Sequence, residues 1–442
     1  MTQACAIAPD PRPHLGVSVL WTLSGYVVYM ACQWAMLVVV ARLGSPEKVG
    51  EFALGLAISA PVVLFTNLGL RRLQVTDAAG TFRFADYFGL RLLMNGVALA
   101  VVAAVAFVSG YGPSTAGVIL AMGLAKAVEA ACDVVHGVMQ QGERMDLIAG
   151  SLFLRGIAGV TGLATGLATT GSVAVGVAEL ALGWSAVFLL YDLPRASRIL
   201  AARGTAGGLR PRWSPGTLRR LAWLALPLGV VTTLMSLMAS IPPIFIEKIR
   251  GAAELGVYTA LAYAYAASHR IASAMGEAAS ARLARHHAEG RKREFTRVMG
   301  GLLLLAASGG AAGVAVAAFA GRPLLTLLYG PVYGERADLL VGFMLVSVVS
   351  DMGILLDYAM TAMRRIKVQP LLYGVAALTF AALCAALIPP MGLGGAVLAL
   401  GIVSLLQGAV TFGIVARALT SFPPAPAKAG SPAVGPAKAG VP

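Results

Sequence analysis

Charge is what this chain has least of: 12% of its 442 residues are Asp, Glu, Lys or Arg, where a soluble domain carries about 25%. With 58% hydrophobic residues and a mean hydropathy of +0.79, that shortage excludes an ordinary water-soluble fold. Cysteine is scarce as well. Cys5, Cys32, Cys132 and Cys384 stand singly, three of them in apolar runs, which excludes a disulfide framework or a cysteine metal site. No P-loop, Rossmann fingerprint, nucleophile motif or metal-ligand spacing occurs, so neither nucleotide hydrolysis nor a cofactor is expected. No cleaved signal is expected at the N-terminus, MTQACAIAPDPRPHLG, since the apolar run after it is longer than a signal h-region and has no small-residue cleavage site.

What is present is apolar runs of about 20 residues, the length that crosses a bilayer. They lie near 17–40, 49–70, 87–109, 114–138, 147–168, 172–192, 217–243, 255–281, 297–319, 337–362, 368–389 and 393–416. The expectation is an all-α polytopic membrane protein of about twelve transmembrane helices. Of 34 Lys and Arg, only Arg42, Lys48, Lys248, Arg250, Arg322 and Arg336 fall in one set of alternating loops, and Lys126 and Arg270 fall within spans. All others, Arg91 and Arg155 among them, are assigned to the opposite set, which places both termini inside by the positive-inside rule. The formal charge of +14 therefore reads as topology and contact with anionic lipid heads, not as a nucleic-acid surface. The outside loops are short, the largest around Gly321 to Arg336, which argues against a membrane glycan polymerase or ligase with a catalytic loop.

The Arg-, Gly- and Pro-rich stretch 194–216 divides the chain into lobes at 1–193 and 217–420 of six spans each, and 421–442 reads as a disordered Pro/Ala/Gly-rich tail. Two echoes suggest duplication. Ala41–Ala57 aligns without a gap on Glu247–Tyr263, an offset of 206, pairing Arg42 with Lys248, Gly50 with Gly256 and Phe52 with Tyr258. Tyr111, Gly112 and Pro113 recur as Tyr329, Gly330 and Pro331, which carries Asp133 onto Asp351. With an even number of spans per half, the repeats would run parallel about an axis along the membrane normal.

Against this apolar background the polar residues stand out. Lys126, Glu129, Asp133 and His136 fall within about 80° of one helical arc, with Gln140 inside it. Each ionisable group in hydrocarbon costs roughly 2.5–3.5 kcal/mol, so the stripe should face protein or a water-filled cavity. The plainer alternative is a structural Lys126–Glu129 bridge, with His136 near the interface. In the eighth span His269, Arg270, Ser273 and Glu277 share another arc of about 80°, beside Tyr263 and Tyr265. The planar fork of Arg270 suits phosphate or pyrophosphate. Arg71 and Arg72 end the second span, either as interfacial anchors or as ligands. Asp351 and Asp357 have no base at helical spacing; such acids exchange protons, bind sodium or bury as protonated hydrogen-bonders. Glu129, Asp133 and His136 are candidates for the same coupling.

The segment Leu23–Leu73 resembles the first two helices of Wzx-type (O-antigen) flippases of the multidrug/oligosaccharidyl-lipid/polysaccharide (MOP) exporter superfamily. Leu327–Leu340, LLYGPVYGERADLL, is similar to their loop before the tenth helix, and Gly392–Leu400, GLGGAVLAL, to the start of their twelfth. The resemblance implies two bundles around a central cavity in the bacterial inner membrane, opening alternately to each side. The implied cargo is a polyprenyl-pyrophosphate-linked oligosaccharide for lipopolysaccharide or exopolysaccharide, handed to polymerase and chain-length machinery. Lys126, Arg270, His269, Arg71 and Arg72 would then be substrate ligands. A cation-coupled multidrug exporter is the rival within the same fold.

Overall fold

The computed structural model describes residues 15–77, 80–204, 208–365 and 368–422. The expected disordered tail lies, beyond Phe422, outside the described residues. All regular structure among them is helical. The first half holds α1 (Leu15–Leu43), α2 (Pro46–Asn67), a short α3 (Leu70–Thr76), α4 (Phe84–Val108), α5 (Pro113–Gln141), α6 (Met145–Thr170) and α7 (Val173–Val187). From α7 the chain runs through a π-helical turn, Phe188–Asp192, into α8 (Leu193–Ala202). The second half holds α9 (Pro215–Arg250), α10 (Ala252–Ala288), α11 (Lys292–Leu328), a short α12 (Pro331–Gly334), α13 (Ala337–Ala362), α14 (Gln369–Met391) and α15 (Leu393–Thr420).

Nine of these segments are long and apolar enough to cross a membrane among the described residues. The other long helices are α5, α9 and α10, and α5 carries Lys126, Glu129 and Asp133 in its middle. Proline sets several starts: Pro46, Pro113 and Pro215 occupy the first turns of α2, α5 and α9, where a missing N–H costs no helical bond. The break after α2 uses Leu68 (φ 51°) and Gly69 (φ 58°), both left-handed. Arg91, fully buried on α4, donates to the carbonyls of Thr66 (3.3 Å) and Asn67 (2.8 Å) and to the Asn67 side chain, satisfying the open end of α2. Its assignment to the inside loops is corrected accordingly: this arginine is a buried cap.

The two halves share one packing plan. In the first, α1 packs on α6, α6 on α7, α7 on α5, and α5 on α4 and α2; in the second, α9 packs on α14, α14 on α15, α15 on α13, and α13 on α11 and α10. Their contact is self-complementary. A Cβ on Gly50 would fall on the Ala252 carbonyl, and one on Gly256 on the Pro46 carbonyl. Gly256 and Ala252 each follow Gly50 and Pro46 by the repeat offset of 206, so the crossing of α2 and α10 has the isologous geometry of a two-fold interface.

The repeated tyrosines follow the same rule. Tyr329 accepts from Trp34 Nε1 of α1 at 2.9 Å, and Tyr111 lies against Glu247 of α9, so each reaches the first helix of the other half. Arg42 adds a cap on α11, donating to the carbonyls of Leu328 (3.0 Å), Thr326 (3.2 Å) and Leu327. Symmetry breaks at α9. It packs along α2 and touches α4, and Arg212, in the segment before it, donates its N–H to Ala85 O at 2.9 Å, whereas α1 makes no matching packing along α10.

Candidate functional site

Two cavities open beside α2, and Ala60 lines both. The smaller, about 300 Å³, gathers the whole stripe of α5: Lys126, Glu129, Asp133 and His136, with Arg71 and Arg155. These charges are mostly matched in place. Lys126 Nζ meets Glu129 Oε2 at 2.8 Å, and Tyr29 donates to the other Glu129 oxygen at 2.7 Å. Arg71 bridges Asp133 at 3.2 Å and Gln140 at 3.0 Å. A buried charge survives only with such partners; the helical spacing of α5 supplies the Lys126–Glu129 pair, while α1 and α3 bring Tyr29 and Arg71.

Arg155, like Arg91, lies deeper than its loop assignment implies. Assigned to a cytoplasmic loop, it is 3% exposed on α6. Its guanidinium carbon lies 5.3 Å from the ring centre of Tyr29 and 5.7 Å from that of Trp184, a cation–π arrangement that replaces solvent. His136 is likewise buried rather than interfacial, 3.0 Å from Ser151 Oγ and 3.6 Å from a carboxylate oxygen of the fully buried Asp192. Neither Asp192 nor the aromatic pair stood out in the sequence, because their partners come from distant helices.

The larger cavity, about 890 Å³, lies among α2, α9, α10, α13, α14 and α15. Alanine, methionine, leucine, proline and phenylalanine side chains make much of its wall. His269, Arg270 and Ser273 enter it from α10 together with Tyr263 and Tyr265, as their shared arc predicts. Arg270 is exposed to it and makes no hydrogen bond or ion pair among the described residues. His269 stacks on Tyr265, ring centres 5.6 Å apart, and its Nδ1 lies 3.6 Å from Asp351. Asp357 lines the cavity, accepting from Tyr373 at 2.7 Å and Thr411 at 3.3 Å.

Other expected residues lie elsewhere. Asp351, 4% exposed, accepts from Ser268 and is absent from both linings, so Asp133 and Asp351 do not face one cavity. Arg72 is exposed and lines neither cavity, and Glu277 is exposed away from the wall that its arc suggests. No group of three or more His, Cys, Asp or Glu is placed to hold a metal ion among the described residues.

No protein-family model matches the chain. The capsular polysaccharide biosynthesis protein CapF of Staphylococcus aureus is 26% identical over 310 residues, covering 70% of this chain and 76% of CapF. Among solved structures, an inward-facing multidrug resistance MATE family transporter of the MOP superfamily matches at a TM-score of 0.71 and 12% identity, covering 91% of this chain and 98% of that one. The lipid II flippase MurJ, in an inward closed conformation, matches at a TM-score of 0.71 and 9% identity, over 90% of this chain and 87% of MurJ. The chain is a multi-pass membrane protein with the transporter fold of the MOP superfamily, the fold that its resemblance to Wzx-type flippases implied.

Proposed function

We propose that the chain is a flippase that carries a polyprenyl-pyrophosphate-linked oligosaccharide across the bacterial inner membrane for surface polysaccharide synthesis. The observation that carries this reading is Arg270: a guanidinium exposed to a large, mostly apolar cavity with no counter-ion. A guanidinium left unmatched in a mostly apolar cavity is free to pair with an incoming anion, and its fork geometry suits a pyrophosphate. The apolar wall tolerates the lipid, and the likeness to CapF supports a polysaccharide pathway.

Twelve crossings with both termini inside, six in each lobe about the linker 194–216, belong to the same proposal. So does hand-over to polymerase and chain-length machinery. Alternating access would follow from rocking of the lobes about the α2–α10 crossing. Proton or sodium exchange at Asp133, Asp351 or Asp357 would bias the return.

Complementation of a deletion strain tests the reading. Arg270→Ala should lose most surface polysaccharide while the protein remains in the membrane, and full restoration by that variant would refute the assignment. The multidrug-exporter reading draws support from the MATE likeness. It predicts dye efflux that depends on this chain, with surface polysaccharide unchanged on deletion.

A further inference from the structure

The walls of the large cavity differ in chemistry. From α10 come a cation and an imidazole, Arg270 and His269. From α13, α14 and α15 come Asp357, Thr361, Gln369, Tyr373 and Gln407, all of which line the cavity. Asp357 is the only charged side chain among those five. Tyr373 and Thr411 each donate to one of its oxygens, and Gln369 Nε2 bonds Thr361 Oγ1 at 2.9 Å and the Asp357 carbonyl at 3.4 Å. Two donors on a carboxylate leave it acceptor capacity, since its two oxygens hold about four lone-pair sites. These bonds also fix its rotamer, so the remaining lone pairs are preorganised.

A fixed carboxylate beside amides and phenol rings matches a ring of vicinal hydroxyls: the carboxylate and amide oxygens accept, the amide N–H groups donate, and the aromatic faces cover C–H edges. We propose that Asp357, Tyr373, Gln369 and Gln407 form a subsite for the sugar nearest the pyrophosphate, selective for a neutral sugar over an acidic one. The assignment rests on the flippase reading above and deepens it. Selectivity follows from charge, because a uronic acid would bring a second carboxylate against Asp357 with no Lys or Arg on that wall to separate them. Arg270 holds the pyrophosphate. Besides the Tyr373 phenol, the titratable side chains facing Asp357 include His269, half-buried on the α10 wall with Asp351 3.6 Å from its Nδ1.

The test uses the full chain in detergent and four probes: polyprenyl pyrophosphate alone, and the same lipid carrying glucose, N-acetylglucosamine or glucuronic acid. Wild type should bind the neutral glycolipids more tightly than the bare lipid, and the glucuronic acid form no more tightly. In Asp357→Asn and in the milder Tyr373→Phe, the gain from a neutral sugar should fall about tenfold, the scale of one lost hydrogen bond to a charged acceptor. Asp357→Asn should also close the gap to glucuronic acid, while affinity for the bare lipid stays unchanged.

An undiminished neutral-sugar gain in both variants, or a wild-type preference for glucuronic acid, overturns the subsite. So does loss of ion-gradient dependence in Asp357→Asn proteoliposomes with the sugar gain intact, since that would make Asp357 the coupling acid. A wild type that binds none of the four lipids refutes the flippase reading itself.

Discussion

The two lobes share a packing plan and differ in what they enclose. Around α5 the first lobe closes a small cavity whose charges meet one another: Lys126 with Glu129, Arg71 with Asp133, Arg155 over aromatic rings. Its homologous helix in the second lobe, α13, borders a cavity roughly three times larger, where Arg270 has no partner of its own. Helix order and the interface glycines match between the lobes, where backbone packs on backbone; the side chains facing the cavities differ. The difference suggests that the first lobe keeps its charges for structure or coupling, and that the second leaves one available for cargo.

The sharpest way to break the shared plan is at the crossing it depends on. Gly50→Val and Gly256→Val each place a side chain where a carbonyl sits, and backbone cannot yield as a flexible side chain does. Each should cost about 3 kcal/mol or more through overpacking and abolish complementation. Because the contact is isologous, the two losses should be alike; a tolerated Gly256→Val beside a null Gly50→Val would show that the crossing is not a true two-fold contact.

The charge contrast itself is tested next. Lys126→Ala strands Glu129 in a cavity wall and should lower stability by roughly 2–3 kcal/mol, while Lys126→Ala with Glu129→Ala should recover much of that loss. Arg270→Ala should leave the melting temperature in detergent unchanged and still lose transport. Equal melting curves for the Lys126 single and double variants would mean that the stripe is not self-compensated. Smaller again, Trp34→Phe removes one hydrogen bond across the lobes, worth about 1 kcal/mol. Cysteine cross-linking between the ends of α1 and α11 should report weaker closure.

How much of this was legible before the structure depends on the distance to the partner. The stripe on α5 is readable because its members recur three or four residues apart on one helix, and the α10 arc is readable for the same reason. Arg91 and Arg155 are not. Hydropathy averages over a window, so an arginine two turns inside an apolar run scores like one at its edge. What buries them comes from afar: the end of α2 for Arg91, Tyr29 and Trp184 for Arg155. Asp133 and Asp351, paired by the repeat, sit in different environments, since alignment carries a position along the chain and not its neighbours. The polar wall of Asp357 escaped notice because Tyr373, Gln369 and Gln407 are individually ordinary in sequence and are gathered only by the packing of α13, α14 and α15.

Arg71 and Arg72 give the finest form of the comparison, because sequence cannot separate them: two arginines side by side at the end of one apolar run. On α3 they diverge by about 100°. Arg71 turns toward α5 and holds Asp133 and Gln140; Arg72 is exposed. An exposed charge away from special contacts changes stability by about 0.5 kcal/mol at most, so Arg72→Ala should melt with wild type and complement fully. Arg71→Ala leaves Asp133 in the cavity wall without its cation and should melt measurably lower. Adding Asp133→Asn should restore most of the difference, as expected when the cost lies in the stranded charge and not in the lost contact. If Arg72→Ala instead reduced surface polysaccharide with the melting curve unmoved, the exposed arginine would be meeting substrate or lipid headgroups, and the first lobe would hold an available cation after all.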